Sequence, residues 1–290
     1  MTEQALAAPV ASAPRVDTRG ATLRGVYIIW YRDVLRFVRD RWRLVIAFAQ
    51  PILYLLIFGT GLSASLRGAS AFSGAGLEYR QFIFPGVIGM TVLFTSIFGA
   101  MSIVWDREFG FLKEVLVAPI HRAAVAVGKT LGGATQASIQ GLIMLVLAPL
   151  VGVKLTAVGV LELIPMIFVL AFGLSALGVA LAARMRNLQA FQVVMNFLMM
   201  PIFFLSGALF PLTNLPAWLS FLTRIDPASY GVDPLRRTVL GAAGVPDAAL
   251  KPLGLTLFGH TLDIWTEEAL LIGFGVVMLG VAIRTFSRRD

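Results

Sequence analysis

The segment FIFPGVIGMTVLFTSIFGAMSIVW, residues 82 to 105, carries no charged side chain over 24 positions. A helix of about 20 largely apolar residues spans the hydrocarbon core of a bilayer, where every backbone polar group must be hydrogen-bonded within the protein. A strand of a membrane barrel would alternate in polarity over about ten residues, whereas this run is continuously apolar. The segment therefore predicts a transmembrane helix.

The rest of the chain has the composition of a membrane protein. Of its 290 residues, 58% are hydrophobic and 14% are charged, and the mean hydropathy is +0.83. These values lie far from those of soluble domains. We predict an all-α integral membrane protein with a transmembrane domain over 44–290. Its six expected spans are 44–62, 82–105, 131–153, 163–183, 188–209 and 265–283, with Glu267 and Glu268 at the membrane interface.

The distribution of basic residues predicts the orientation. Seventeen of the 24 lysines and arginines fall in the two terminal tails and in the second and fourth connections. Basic connections stay on the cytoplasmic side, so both termini are expected there. The net charge of +8 then reflects topology and attraction to anionic membrane lipid. Nucleic acid is not an expected partner.

Two segments outside the spans have a pattern of their own. Residues 1–21 are expected to form a disordered tail, and residues 22–43 mix aromatic and basic side chains in a roughly helical rhythm. That rhythm predicts an amphipathic interface helix, which either anchors the topology or binds a cytoplasmic partner. Its named candidates are Trp30, Arg32, Arg36 and Arg39.

The long connection 210–264 alternates apolar clusters with Pro and Gly. This pattern favours a re-entrant outer segment of short helices between the fifth and sixth spans, with a plain external loop as the alternative.

The sequence offers no catalytic machinery. It has no cysteine, and its two histidines, His121 and His260, lie far apart without a metalloprotease or serine-hydrolase motif. The string VGKT at 127–130 ends like a phosphate-binding loop, but the loop's first glycine is replaced by Ala123. Lys129 is better explained as an anchor of the third span. We expect no cofactor or metal on this chain, and any ATP is expected on another subunit.

The connection after the second span, WDREFGFLKEVLV at 105–117, is charged. On a helical wheel Trp105 and Phe109 fall on an apolar stripe and Asp106 on the polar side, as in a helix along the membrane surface. Glu108 falls on the apolar stripe, where a carboxylate needs basic side chains or the N–H groups of a helix end. A plain solvated connection is the alternative.

The run WDREFGFLKEVLVAPIHRAAVAVGKTLGG, residues 105 to 133, closely resembles the corresponding segment of ABC type-2 exporter permeases. This group includes the nodulation-factor and daunorubicin-resistance export permeases. A second likeness is DPASYGVDPLRR, residues 226 to 237, with Asp226 where the family pattern has Asn. The matching residues of the first run are Arg107, Glu108, Gly110, Leu112, Pro119, Arg122, Gly128 and Lys129.

The resemblance implies a permease of the bacterial plasma membrane that works with a second copy, or a homologous permease, and with two ABC ATP-binding subunits carrying ATP and Mg. The substrate path would run between the permeases, along spans one, two and five. The resemblance implies a cytoplasmic coupling helix that docks on the ATPase, and an outer gate with candidates Asp226, Pro227 and Tyr230. The expected coupling residues are Arg107, Glu108, Phe109, Gly110, Leu112, Lys113, Glu114, Pro119 and Arg122.

The implied function is export of a lipid-like, glycan or hydrophobic drug-like substrate by a chain that is not itself an enzyme. An ATP-independent secondary transporter and a membrane scaffold or assembly protein remain the alternatives. Charged residues within spans usually mark ion pathways, and the predicted spans contain almost none. This disfavours proton-driven transport.

Overall fold

Long helices form most of the protein. The computed structural model describes residues 18–66, 78–109, 121–212, 215–246, 250, 254–257 and 260–288. The helices are α1 (Thr18–Arg39), α2 (Arg41–Leu66), α3 (Tyr79–Gly99), α4 (Met101–Glu108), α5 (Arg122–Met144), α6 (Ala157–Ala182), α7 (Leu188–Leu205), α8 (Ala217–Ile225), α9 (Ser229–Ala242) and α10 (Ile264–Arg288). A 3₁₀ helix, Leu145–Val151, extends α5. Two short antiparallel strands, β1 (Thr256–Leu257) and β2 (His260–Thr261), pair Thr256 with Thr261.

Five helical stretches of the described chain are long and apolar enough to cross a membrane. They are Tyr79–Glu108, Arg122–Val151, Ala157–Ala182, Leu188–Leu205 and Ile264–Ser287, and they coincide with the second to sixth predicted spans. The first predicted span, 44–62, falls within α2, whose described apolar stretch Phe48–Gly61 is shorter. The all-helical membrane class is therefore confirmed, and a sixth span stays a prediction.

Local signals account for several helix ends. The hydroxyl of Thr156 accepts the N–H of Gly159 and begins α6, and the side chain of Asn187 accepts the N–H groups of Gln189 and Ala190 at the start of α7. These are N-caps, which satisfy the free donors of a first turn. The turn after α7 contains Gly207 at φ 73°, a backbone conformation that favours glycine. It ends α7 four residues earlier than the predicted span.

Small residues let the helices approach closely. An added Cβ on Gly133 of α5 would lie 2.9 Å from Oγ of Ser175 on α6, and one on Gly173 would lie 2.9 Å from a methyl group of Leu271 on α10. Such contacts favour association between membrane helices, where water provides no hydrophobic drive. Helices α3, α5 and α6 form the centre, with α1 against α5 and α10 against α6.

The N-terminal helix differs from its predicted bounds. Residues 1–17 of the expected disordered tail lie outside the described residues, but α1 begins at Thr18 and ends at Arg39, and α2 begins at Arg41. The interface helix therefore does not run over 22–43, because Asp40 interrupts it. One face of α1, with Ile29, Asp33 and Phe37, is buried.

Candidate functional site

A cluster of charged and polar side chains, with Asp33, Asp106 and Lys129 buried, joins three helices at one end of the bundle. We call it the junction cluster: Arg32 and Asp33 on α1, Ser102 and Asp106 on α4, and Lys129 on α5. Lys129 is 4% exposed, and its Nζ lies 3.1 Å from both Asp33 Oδ2 and Asp106 Oδ2. It also donates to the hydroxyl of Ser102 at 3.0 Å.

The first helix is held at this cluster by further polar contacts. The guanidinium of Arg32 lies 3.4 Å from Asp106 Oδ2 and 3.6 Å from Asp33 Oδ1. The amide of Gln136 on α5 donates to the backbone oxygen of Asp33 at 3.1 Å. Buried charges are stable when they are paired and hydrogen-bonded, so these contacts tie α1 to the spans.

Two of the predicted coupling residues connect α4 to the segment between α6 and α7. Arg107 donates to the backbone oxygens of Ala183 at 3.0 Å and Met185 at 2.7 Å. The carboxylate of Glu108 accepts the N–H of Leu188, the first residue of α7, at 2.8 Å. The helical wheel placed Glu108 on the apolar stripe, where a buried carboxylate would need a partner; Glu108 is instead exposed, and a helix end supplies its donor. A carboxylate at this position also complements the dipole of α7.

Arg122 is the first residue of α5 and reaches the last helix. Its guanidinium donates to the backbone oxygen of Phe286 at 3.3 Å, and the guanidinium of Arg107 lies 5.9 Å from the centre of the Phe286 ring. Three predicted coupling residues, Arg107, Glu108 and Arg122, are therefore brought together around the same end of the bundle. Five others, Gly110, Leu112, Lys113, Glu114 and Pro119, lie outside the described residues.

The helical-wheel assignment of this segment was wrong about Asp106. Asp106 was placed on the solvated side but is buried against Lys129. Trp105 and Phe109, which the wheel placed on the apolar stripe along the membrane surface, are 47% and 58% exposed in the single chain, and their ring centres are 5.0 Å apart. The physical reason is that the side of α4 toward the bundle meets charged groups of α1 and α5. The aromatic side is left open to lipid or a partner.

The other interface-helix candidates occupy different faces of α1. The indole N–H of Trp30 donates to the hydroxyl of Thr135 at 3.0 Å, so it is directed toward α5. Arg36 and Arg39 are exposed. Close contact with α5 also depends on Gly128, where an added Cβ would lie 2.9 Å from Cβ of Ile29.

This packing also explains the VGKT string. Gly128 and Lys129 lie within a continuous helix, so they form a helix contact and an ion-pair centre. They do not form a phosphate loop. Lys129 is thus buried among carboxylates, which corrects its assignment as a simple anchor of the third span. The pairing was missed because each of its two carboxylates is next to an arginine in the sequence, which suggested a solvated face in both segments.

Two of the predicted gate residues, Asp226 and Pro227, lie in the turn between α8 and α9 at the opposite end of the bundle, and Tyr230 is the second residue of α9. Asp226 is buried; its Oδ1 accepts the N–H of Ala228 at 3.1 Å, and the Ser229 hydroxyl donates to its other oxygen at 3.4 Å. Burial raises the pKa of Asp226 to about 8, although these two hydrogen bonds oppose the shift. Tyr230 donates to the backbone oxygen of Arg224 at 2.7 Å, and Pro227 is half-buried between them.

A second charged group lies beside this turn, and the sequence did not predict it. We call it the distal cluster: Asp233, Arg236 and Arg237 on α9, and Glu267 on α10. Arg237 pairs with Asp233 and with Glu267, and its Nη2 lies 2.8 Å from Oε1 of Glu267. Glu267 is fully buried and Glu268 is 6% exposed. Both glutamates, which the sequence predicts at the membrane interface, are therefore buried within the protein.

Comparison with known proteins supports the membrane assignment. The sequence profile described as ABC-2 type transporter matches residues 24–240. The inner membrane transport permease YadH of Escherichia coli (strain K12) is 28% identical over 271 residues, covering 89% of this chain and 96% of YadH. Nodulation protein J of Rhizobium leguminosarum bv. viciae is 24% identical over 223 residues, covering 76% and 82%. The transport permease ycf38 of Cyanophora paradoxa is 26% identical over 218 residues, covering 74% and 73%.

Proposed function

Because this chain belongs to the ABC-2 type transporter family, we propose that it is the membrane-embedded permease subunit of an ATP-driven exporter. In this proposal a separate ABC ATP-binding subunit, present in two copies, hydrolyses ATP, while this chain forms the pathway. The permease acts with a second copy of itself or a homologous permease. Both termini and the junction cluster face the cytoplasm.

The single observation that carries the proposal is the convergence of helices at the junction end. Through Arg107, Glu108 and Arg122, the end of α4 and the start of α5 contact the α6–α7 connection and the last turns of α10. The junction cluster adds α1 to the same unit. Movement of the connection between α4 and α5 would therefore displace the spans that contain α4, α5, α7 and α10, together with α1.

The exposed aromatic pair supports the same site as a docking surface. Trp105 and Phe109 lie at the end of α4, beside Glu108, where the chain leads into the expected coupling segment. Exposed aromatic side chains next to a charge are common anchors at protein interfaces. In the proposal they face the ATP-binding subunit, and Arg36 and Arg39 of α1 lie toward the same partner or toward anionic lipid.

The pathway is proposed to run between two permeases along α2, α3 and α7. Apolar side chains on α2 and α7, among them Leu53, Ile57, Val193 and Phe197, are exposed in the single chain, and a second copy or lipid would cover them. Helices α8 and α9 form the re-entrant outer segment. The proposed substrate is lipid-like, a glycan or hydrophobic and drug-like, and the exposed apolar groups disfavour a small ion.

Tagged purification from the host membrane tests this function. We expect an ATP-binding protein to co-purify in equal molar amount and the preparation to hydrolyse ATP. Purification of the chain alone, with transport that follows a proton gradient and needs no ATP, would support a secondary transporter. Purification alone with no transport defect after deletion would support a scaffold or assembly protein.

A further inference from the structure

The distal cluster attaches α9 to the last span. Arg237 is the connecting residue, because its guanidinium binds Asp233 on its own helix, Oε1 of Glu267 on α10 and the backbone oxygen of Leu262 at 2.7 Å. The carboxylate of Asp233 also accepts the N–H of Leu255 at 3.0 Å. One side chain thus joins α9 to the segment that leads into α10 and to α10 itself.

The opposite side of α9 packs on α3. Arg236 is fully buried, donates to the backbone oxygen of Gly207, and lies 4.3 Å from the centre of the Phe82 ring. One turn earlier Val232 faces Gly89 so closely that a Cβ on Gly89 would lie 2.6 Å from a Val232 methyl group. Helix α9 is therefore packed against α3 at Arg236 and against α10 at Arg237, and it also packs on α6.

We propose that Arg237 is the positioning residue of the outer gate: its pairing with Glu267 holds α9 against the spans, and release of substrate requires that pair to separate. This inference rests on the proposed function. It adds a residue that the family resemblance did not single out, since the gate candidates of the sequence were Asp226, Pro227 and Tyr230.

An ion pair suits this task because its strength depends on hydration. Coulomb attraction between two charges is about four-fold weaker in water than in a typical protein site. Glu267 is fully buried in the closed arrangement and Arg237 nearly so. Entry of water or of a polar substrate group would weaken the pair steeply, so the gate would have a dry closed state and a hydrated open one.

The chain has no cysteine, so a single introduced thiol reports opening without background. Val232→Cys places a thiol where α9 meets α3, at a position that is 1% exposed. The measurement is the rate of labelling by a hydrophilic maleimide, on the purified chain and on its complex with the ATP-binding subunit. We expect slow labelling of the resting protein.

Adding Arg237→Gln to Val232→Cys should accelerate labelling at least ten-fold without ATP, whereas Arg237→Lys, which keeps the charge, should restore slow labelling. The matched control is Arg80→Gln, which removes an exposed ion pair with Glu78 on a helix start at the same end and should leave the rate unchanged. Thermal unfolding of each variant verifies that it is folded. Equal rates for the parent and Arg237→Gln, or fast labelling with Arg237→Lys, would overturn the role of Arg237.

This design distinguishes failure of the proposed function from failure of the proposed role of Arg237. If ATP does not change labelling of the complex that retains Arg237, the ATP coupling in the proposed function is contradicted. The comparison of Arg237→Gln with its parent in the absence of ATP still decides whether Arg237 holds α9 closed.

Discussion

Lys129 on α5 lies 3.1 Å from the carboxylate of Asp106 on α4, and both side chains are almost completely buried. Asp106 comes one residue before Arg107 and two before Glu108, which contact the α6–α7 segment. The pair thus connects the start of the third predicted span to the end of the second at the point where the coupling segment begins.

Removing this cation should destabilise the protein. Lys129→Met leaves Asp33 and Asp106 buried, with Arg32 as their remaining basic partner, and loss of one partner of a buried pair costs about 3 kcal/mol. Equilibrium unfolding in detergent measures the change. Adding Asp33→Asn and Asp106→Asn to Lys129→Met should recover part of the loss. Lys154→Met, at an exposed position, is the control and should stay within about 0.5 kcal/mol of the parent. An unaltered stability of Lys129→Met would show that the cluster contributes little.

A glycine contact should control whether α1 stays on the bundle. A methyl group at Gly128 would meet Ile29 at 2.9 Å and the backbone oxygen of Val26 at 3.1 Å, so Gly128→Ala should cost about 1–3 kcal/mol by overpacking. Gly273→Ala is the matched control in α10, since its added methyl group would have no neighbour within 4 Å. That control should be neutral or stabilising by up to about 1 kcal/mol. The same unfolding measurement compares them, and equal effects would contradict the close α1–α5 contact.

The stability of the outer segment should depend on pH through Asp226. Its pKa is raised by burial from 3.8 to about 8, so the folded protein favours the protonated acid. The stability that Asp226 contributes is fully present below about pH 4 and is lost as the pH rises toward about 8. The free energy of unfolding then falls by at most about 1.4 kcal/mol per pH unit. Asp226→Asn keeps an acceptor for Ala228 and cannot ionise. It should therefore unfold with a weaker pH dependence between pH 5 and 8 than the parent.

The control for this titration is Asp263→Asn. Asp263 is exposed and its carboxylate accepts the N–H of Trp265 at 3.3 Å, so it makes the same kind of local contact without burial. Asp263→Asn therefore measures the effect of exchanging a carboxylate for an amide at such a contact without removing a buried acid. A profile for Asp226→Asn that matches the parent would mean that Asp226 does not titrate in this range.

The helices were largely predictable, whereas the charge pairs were not. The length of an apolar run can be read directly from the sequence, and the five spans found among the described residues were predicted from that local property. A helical wheel placed Glu108 on the apolar stripe, whereas the side chain is exposed and accepts its hydrogen bond from a helix end. The wheel could not show that Asp106 faces inward, because in a membrane the apolar side of a helix can face lipid while the polar side faces the bundle. Asp33 and Lys129 are 96 residues apart, so only the fold brings them together.

The same limit applies at the other end of the chain. Glu267 looked like an interfacial residue because it precedes an apolar run. Its partner Arg237 is 30 residues away, in a connection that was expected to lie outside the spans. The packing of α9 onto α10 depends on side-chain contacts between separate segments, and it cannot be predicted from the periodicity of either segment.

The most direct test of the proposed function is charge reversal at Glu108 in the tagged complex. Glu108→Lys places a cation at the start of α7, where the helix dipole disfavours it, and removes the acceptor of the Leu188 N–H. Glu78→Lys reverses an exposed carboxylate at the other end of the bundle and is the matched control. The measurement is ATP-driven transport by the purified complex in vesicles, together with the amount of ATP-binding subunit retained. We predict that Glu108→Lys abolishes transport while Glu78→Lys keeps both quantities at the parent level. Parent-level transport by Glu108→Lys would contradict the account.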